Sequence, residues 1–168
     1  MPITSVFTDL EALTFTVTAE FPAEPERIWQ LWADPRQLES WWGPPTWPAT
    51  ITRHEFAVGG DGRYYMTGPK GEKAGGWWHI TEIEPPHLLK FEDGFSGEDG
   101  EPSGELGSTR NTVSIDAVEL RAGRPGTRMR LVTAFESREQ FSELAEMGLE
   151  DGLRDSIAQI DGLLDKNP

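Results

Sequence analysis

Cysteine is absent from the sequence, which excludes disulfides, thiolate metal sites and a Cys nucleophile together. Histidine is scarce: His54, His79 and His87 stand too far apart for a ligand pair at i, i+2 or i, i+4, so no zinc signature exists and no metal is expected. Positive charge is also in short supply. Fifteen Lys and Arg stand against twenty-nine Asp and Glu, a formal net charge of −14, which repels phosphate backbones and anionic lipid. Nucleic acid and membrane surfaces are therefore not expected partners. No apolar run approaches the roughly twenty residues that span a bilayer. Residues 1–12 carry Asp9 and Glu11 and lack the basic start and apolar core of a signal peptide; a cytoplasmic location is the simplest expectation. Gly-x-Ser-x-Gly, a phosphate loop and a Gly-x-Gly-x-x-Gly after a strand are missing too, which removes the local support for serine hydrolase, nucleotide hydrolase and dinucleotide chemistry. No cofactor is expected.

What the chain has in quantity is aromatic: seven Trp and eight Phe in 168 residues. Its length suits one domain, 1–168, with a structured core over about 13–165. From Leu13 to Phe21 every odd position is apolar, except that Ala19 is small, and every even one polar, the pattern of a half-buried strand. Pro25, with Ile28, Leu31 and Trp32 behind it, predicts a short helix over 25–33, and Asp34-Pro35 starts a second over 35–41 that Gly43-Pro44-Pro45 ends. Strands are predicted over 49–57, 62–68, 76–84, 87–92, 110–120 and 127–135, with short Gly and Pro turns that favour an antiparallel meander. Alternation gives Tyr64, Met66, Trp78, Ile80, Glu82, Leu89, Phe91, Val113, Ile115, Met129 and Leu131 one face, which a helix should cover. Ser137 and Gln140 make a capping-box start, and apolar residues from Phe141 to Leu164 recur at helical spacing, predicting one long amphipathic helix. Gly148 and Gly152 interrupt it, implying close packing against a bulky side chain or a local bend. Residues 93–109, rich in Gly and acid, read as a long loop, disordered or a lid.

Strand, two short helices, six-stranded meander and long last helix is the order of the START-like helix-grip fold. The local motifs are Pro25-Glu26-Arg27-Ile28-Trp29, Asp34-Pro35 before Trp41-Trp42-Gly43-Pro44, Tyr64 to Pro69, Glu82-Ile83-Glu84-Pro85-Pro86 and Met147 to Gly152. In that order they resemble the activator of heat-shock protein 90 ATPase homologue family of the START-like superfamily. The resemblance covers about residues 13–165. It implies an α+β fold in which a curved antiparallel sheet wraps around the C-terminal helix. It also implies a function among ligand carriers, cyclases, dehydratases and a co-chaperone, and fold alone does not choose between these. In the co-chaperone a separate domain precedes the module, whereas about a dozen residues precede the first strand expected here.

Small-molecule pockets are mostly apolar and aromatic with a few polar groups. Trp41, Trp42, Trp47, Tyr64, Met66, Trp78, Phe91, Phe95, Met129 and Leu153 are the candidate ligand-binding residues, against the alternative that the rings simply fill a core. Trp41 and Trp42 are adjacent on a helix end, so their rings diverge by about 100° and only one can face a cavity. Glu82, sharing the parity of Trp78 and Ile80, is the candidate acid or base; His79 and Arg130 alternate outward. No complete catalytic constellation is present. The first expectation is a protein that binds a small hydrophobic or aromatic ligand, the second a cyclase- or dehydratase-like enzyme, the third a chaperone-linked interaction protein. A homodimer is compatible with each.

Overall fold

The structure is a computed structural model that describes residues 2–167. Eight strands, β1 (Ile3–Asp9), β2 (Thr14–Phe21), β3 (Ala49–His54), β4 (Asp61–Thr67), β5 (Lys73–Glu84), β6 (Leu88–Ser96), β7 (Ser108–Glu119) and β8 (Pro125–Ala134), form one curved antiparallel sheet in the order β1-β2-β8-β7-β6-β5-β4-β3. Helices α1 (Pro25–Ala33) and α2 (Pro35–Glu39) join β2 to β3, and α3 (Arg138–Glu146), α4 (Leu149–Ala158) and α5 (Ile160–Lys166) follow β8. The family's expected order is present: β3 to β8 are a meander, and β2 closes on β8 from Thr14 opposite Ala134 to Phe21 opposite Thr127.

The local chemistry follows the sequence closely in the first half. Pro25 occupies the first turn of α1, where its missing N–H costs nothing, and Ile28, Trp29, Leu31 and Trp32 are buried. The Asp34 carboxylate then accepts from Arg36 N at 2.9 Å and caps α2. Trp32 is wholly buried at the centre of an aromatic cluster with Trp41, Trp42, Trp78 and Phe91, at ring separations of 4.8–6.1 Å. Trp78 and Phe91 stack within it at 4.1 Å. Its donors are served where the chain allows: Trp41 Nε1 donates to Leu31 O at 3.0 Å, Trp32 Nε1 to Met129 Sδ at 3.4 Å. Below the cluster, Val17, Phe21, Leu89, Val113, Ile115, Ile157 and Ile160 complete the core, each large side chain contributing about 1.5–3 kcal/mol by burial.

Three expectations need correction. Structure begins before residue 13, because β1 pairs with β2; β1 is an edge strand with a register break between Ile3 and Ser5 and exposed Phe7, so it has no clean alternation to read. The last helix is three segments. Gly148 sits at φ +89° between α3 and α4, a left-handed geometry that interrupts the helical hydrogen bonding. No atom lies within 4 Å of where a Cβ would stand on Gly148 or Gly152, so close packing is not what these glycines serve. The loop is shorter than 93–109: β6 runs on to Ser96 and β7 starts at Ser108. What remains is tied at both ends, by an isolated bridge between Ser96 and Pro102 and by Gln140 Nε2, which donates to Leu106 O at 2.7 Å and Ser108 O at 3.0 Å.

Candidate functional site

Along each central strand the inward face is filled at one end and hollow at the other. On β6, Leu89 and Phe91 are in the core while Asp93 and Phe95 face a cavity; on β7, Val113 and Ile115 are core while Thr109 and Asn111 face the cavity. On β8, Met129 is core and Leu131 and Thr133 line the cavity, as does Phe135 just past the strand's end. This cavity, about 430 Å³, lies between the hollow half of the sheet, the Trp42–Trp47 segment after α2, and α3 with α4. Its size falls within the range of small-molecule sites, roughly 300–1,000 Å³. The lining reaches the surface at Met147 and Gly148, both exposed, at the break between the two helices.

Of the candidate residues, Trp42, Trp47, Tyr64, Met66, Phe95 and Leu153 line this cavity. Trp41, Trp78, Phe91 and Met129 do not: they are at most 2% exposed, packed in the cluster that closes the cavity's inner end. Alternation assigns a face but not a depth along it, and for these four the core-filling alternative prevails. Trp41 and Trp42 do diverge, with ring planes 82° apart, and Trp42 is the one that reaches the cavity.

Glu82 is displaced from the predicted face altogether. A bulge between Ile80 and Glu82 shifts the pairing so that Ile80 is opposite Phe91 but Glu82 opposite Lys90. One extra residue reverses the parity beyond it. Glu82 therefore points outward, 43% exposed, and pairs with Lys90 at 3.1 Å. His79 also faces outward, its Nδ1 3.0 Å from Asp61 Oδ1, and Arg130 is exposed. His54 Nε2 is 3.0 Å from Trp32 O and His87 Nδ1 2.8 Å from Ile115 O; both hold backbone.

The ionisable side chains that do line the cavity are Asp93 and, beside it, Tyr64. Their meeting depends on Gly76. Tyr64 on β4 pairs with Gly76 on β5, and Gly76 with Phe95 on β6. A Cβ on Gly76 would collide with the Tyr64 ring, so the absence of a side chain lets that ring lie across β5. Its hydroxyl thereby reaches β6 and donates to Asp93 Oδ1 at 3.4 Å. Burial pushes the Asp93 carboxyl up to about 7, opposed by the Tyr64 hydroxyl and the Gly94 backbone N–H. Tyr64 is itself raised well above the ordinary tyrosine range, by burial first and by the Asp93 charge second. The indole N–H groups of Trp42 and Trp78 stand beside the phenol oxygen and oppose that rise, yet neither completes a hydrogen bond.

Sequence reasoning missed Asp93, Asn111, Thr133 and Gln140. The signal was available for three of them: Asp93 lies between Phe91 and Phe95 at the same parity, Asn111 precedes Val113, and Thr133 follows Leu131. Asn111 and Thr133 satisfy one another across β7 and β8, Thr133 Oγ1 donating to Asn111 Oδ1 at 2.8 Å. Among the described residues no group of three or more His, Asp or Glu is placed to hold a metal ion, and no helix is long and apolar enough to cross a membrane.

The same architecture recurs in known structures. A protein from Arthrobacter aurescens, solved by solution NMR, is 53% identical, with 96% of this chain and 91% of that one covered at a TM-score of 0.88. The crystal structure of a Mycobacterium smegmatis protein is 45% identical, with 97% of each chain covered and a TM-score of 0.86. A Rhodobacter sphaeroides protein at 23% identity shares the fold, with a TM-score of 0.80 over 96% of this chain and 98% of that one. No curated protein matches. The model of the family described as Activator of Hsp90 ATPase homolog 1-like protein matches residues 22–165, the span from the end of β2 to α5, and the chain belongs to that family.

Proposed function

We propose that this protein binds a small, largely apolar or aromatic molecule in the cavity between the sheet and helices α3 and α4. The observation that carries the reading is the hollow itself: about 430 Å³ lined by Trp42, Trp47, Phe95, Phe135, Leu144 and Leu153, with few polar groups. An apolar occupant there would gain roughly 25 cal/mol for each Å² it withdraws from water. The Asp93–Tyr64 pair supplies the one polar feature with chemistry to offer, and it is compatible with orientation of a ligand or with proton transfer. Orientation needs only the arrangement described, whereas turnover needs a partner group for the proton, so binding is the function we assign.

The test is titration with neutral, fluorescent 1-anilinonaphthalene. Wild-type protein should bind it saturably at one site, and Leu153→Trp, which fills the cavity, should weaken binding about tenfold or more while leaving the circular dichroism spectrum intact. Non-saturable binding, or equal binding by both proteins, would remove the reading. Native mass spectrometry of freshly purified protein would show a retained ligand and whether the chain pairs with a second copy.

A further inference from the structure

The cavity's polar inventory is unevenly spent. Tyr64 O–H donates to Asp93, Thr133 O–H to Asn111, Ser156 O–H to Gly152 O at 2.8 Å, and the Gln140 amide to Leu106 and Ser108 carbonyls. These lining groups turn their donors onto the protein itself. The Asp93 carboxyl is different. It is the only acid in the lining, no Lys, Arg or His lines the cavity with it, and Tyr64 is its one side-chain hydrogen-bond partner among the described residues. It therefore has accepting capacity left over, in a site where an unused charged acceptor is costly.

Resting on the cavity being a binding site, we propose that Asp93 is its recognition group: the ligand is a neutral, largely apolar molecule whose hydroxyl donates a hydrogen bond to the Asp93 carboxylate. Tyr64 is the positioning residue. Its ring, laid over Gly76, fixes the carboxyl from the β4 side, with the phenol O–H donating to Asp93 Oδ1. Once the carboxyl is ionised, above about pH 7, an acceptor-only ligand such as an ether has nothing to offer it, and an anionic ligand meets a like charge without a cation to offset it. A hydroxyl satisfies the carboxyl and leaves the rest of the molecule to the aromatic and aliphatic walls.

Three probes of one ring system separate the possibilities: 2-naphthol, with a donor; 2-methoxynaphthalene, with an acceptor only; and 2-methylnaphthalene, with neither. Calorimetric titration of the wild-type protein at about pH 8.5, where the Asp93 carboxyl is ionised, should give 2-naphthol an advantage of about tenfold or more over both others, the scale of a hydrogen bond to a charged group. In Asp93→Leu, of similar size and unable to accept, that advantage should shrink to about twofold or less, and in Tyr64→Phe it should fall part of the way. Equal affinity of wild-type protein for 2-naphthol and 2-methoxynaphthalene overturns the proposal while leaving the cavity reading intact. So does an advantage that survives in Asp93→Leu. If none of the three binds, the cavity reading fails and this inference with it. The wild-type comparison is decisive by itself should either variant fold poorly.

Discussion

Asp93 is the carboxyl group whose ionisation the fold shifts furthest toward neutrality. Its folded value of about 7 stands above the 3.8 of an ordinary aspartate because burial disfavours the charge. Between those values the unfolded chain has released its proton and the folded chain still holds it. The stabilisation is thus complete below about pH 4 and is lost as pH rises through about 7. The full span is worth at most roughly 4 kcal/mol. Asp93→Asn, neutral throughout, should therefore gain stability relative to wild type as pH rises across that window and hold the gain above it. Denaturant unfolding of both proteins at several pH values checks this; a difference independent of pH would refute it. Gly76 makes the second prediction at this scale. Gly76→Ala forces the Tyr64 ring off β5 and should cost about 1–3 kcal/mol, the usual penalty of overpacking, read from the same unfolding curves. The site's residues were half legible before the fold was known. Parity placed Tyr64, Met66 and Trp78 on the covered face, but a period of two says nothing about where along a strand the helices stop filling it. It also fails silently at a bulge, which is why it places Glu82 on the wrong face; Asp93 escapes it for another reason, because the Gly- and acid-rich composition of 93–109 reads as a loop although β6 continues to Ser96.

Among the elements, the C-terminal helices teach most. Gly148 and Gly152 are equivalent in the sequence, four residues apart on one apparent helix, yet only Gly148 has a positive φ, +89°. Neither position is crowded, so alanine at each isolates the backbone effect. Gly148→Ala should destabilise by about 1–2 kcal/mol through left-handed strain, whereas Gly152→Ala should stabilise by about 0.5–1 kcal/mol through helix propensity. For a chain of this size each kcal/mol moves Tm by roughly 2–4 °C, so paired thermal melts should shift in opposite directions. Equal signs would mean that the break does not depend on Gly148. The strands were easier to read than the helices because alternation, Gly turns and Pro turns act within a few residues. A helix break set by one φ angle leaves only a faint trace in apolar periodicity: the step from Leu144 to Leu149 is five residues, not three or four, whereas Leu149 and Leu153 are again in phase beyond it.

For the whole molecule, occupation of the cavity and global stability are linked. A ligand at about a hundredfold excess over its Kd adds roughly 2.7 kcal/mol to a folded state that alone binds it, so 2-naphthol should raise Tm by several degrees, and by less in Leu153→Trp. A thermal-shift titration reads both. The fold as a whole was the most legible level, since element order survives small errors in element ends; the edge strand β1 was the exception, for want of a buried face. The strand order has one further consequence. β2 is made early in synthesis, but its neighbour toward the centre of the sheet is β8, with Phe21 opposite Thr127. At about 5–20 residues per second the ribosome needs on the order of ten seconds to travel between those partners. During that interval β1 and β2 carry Phe15, Val17 and Phe21 without the strand that will flank them, so the apolar face of the first strands waits for the last one.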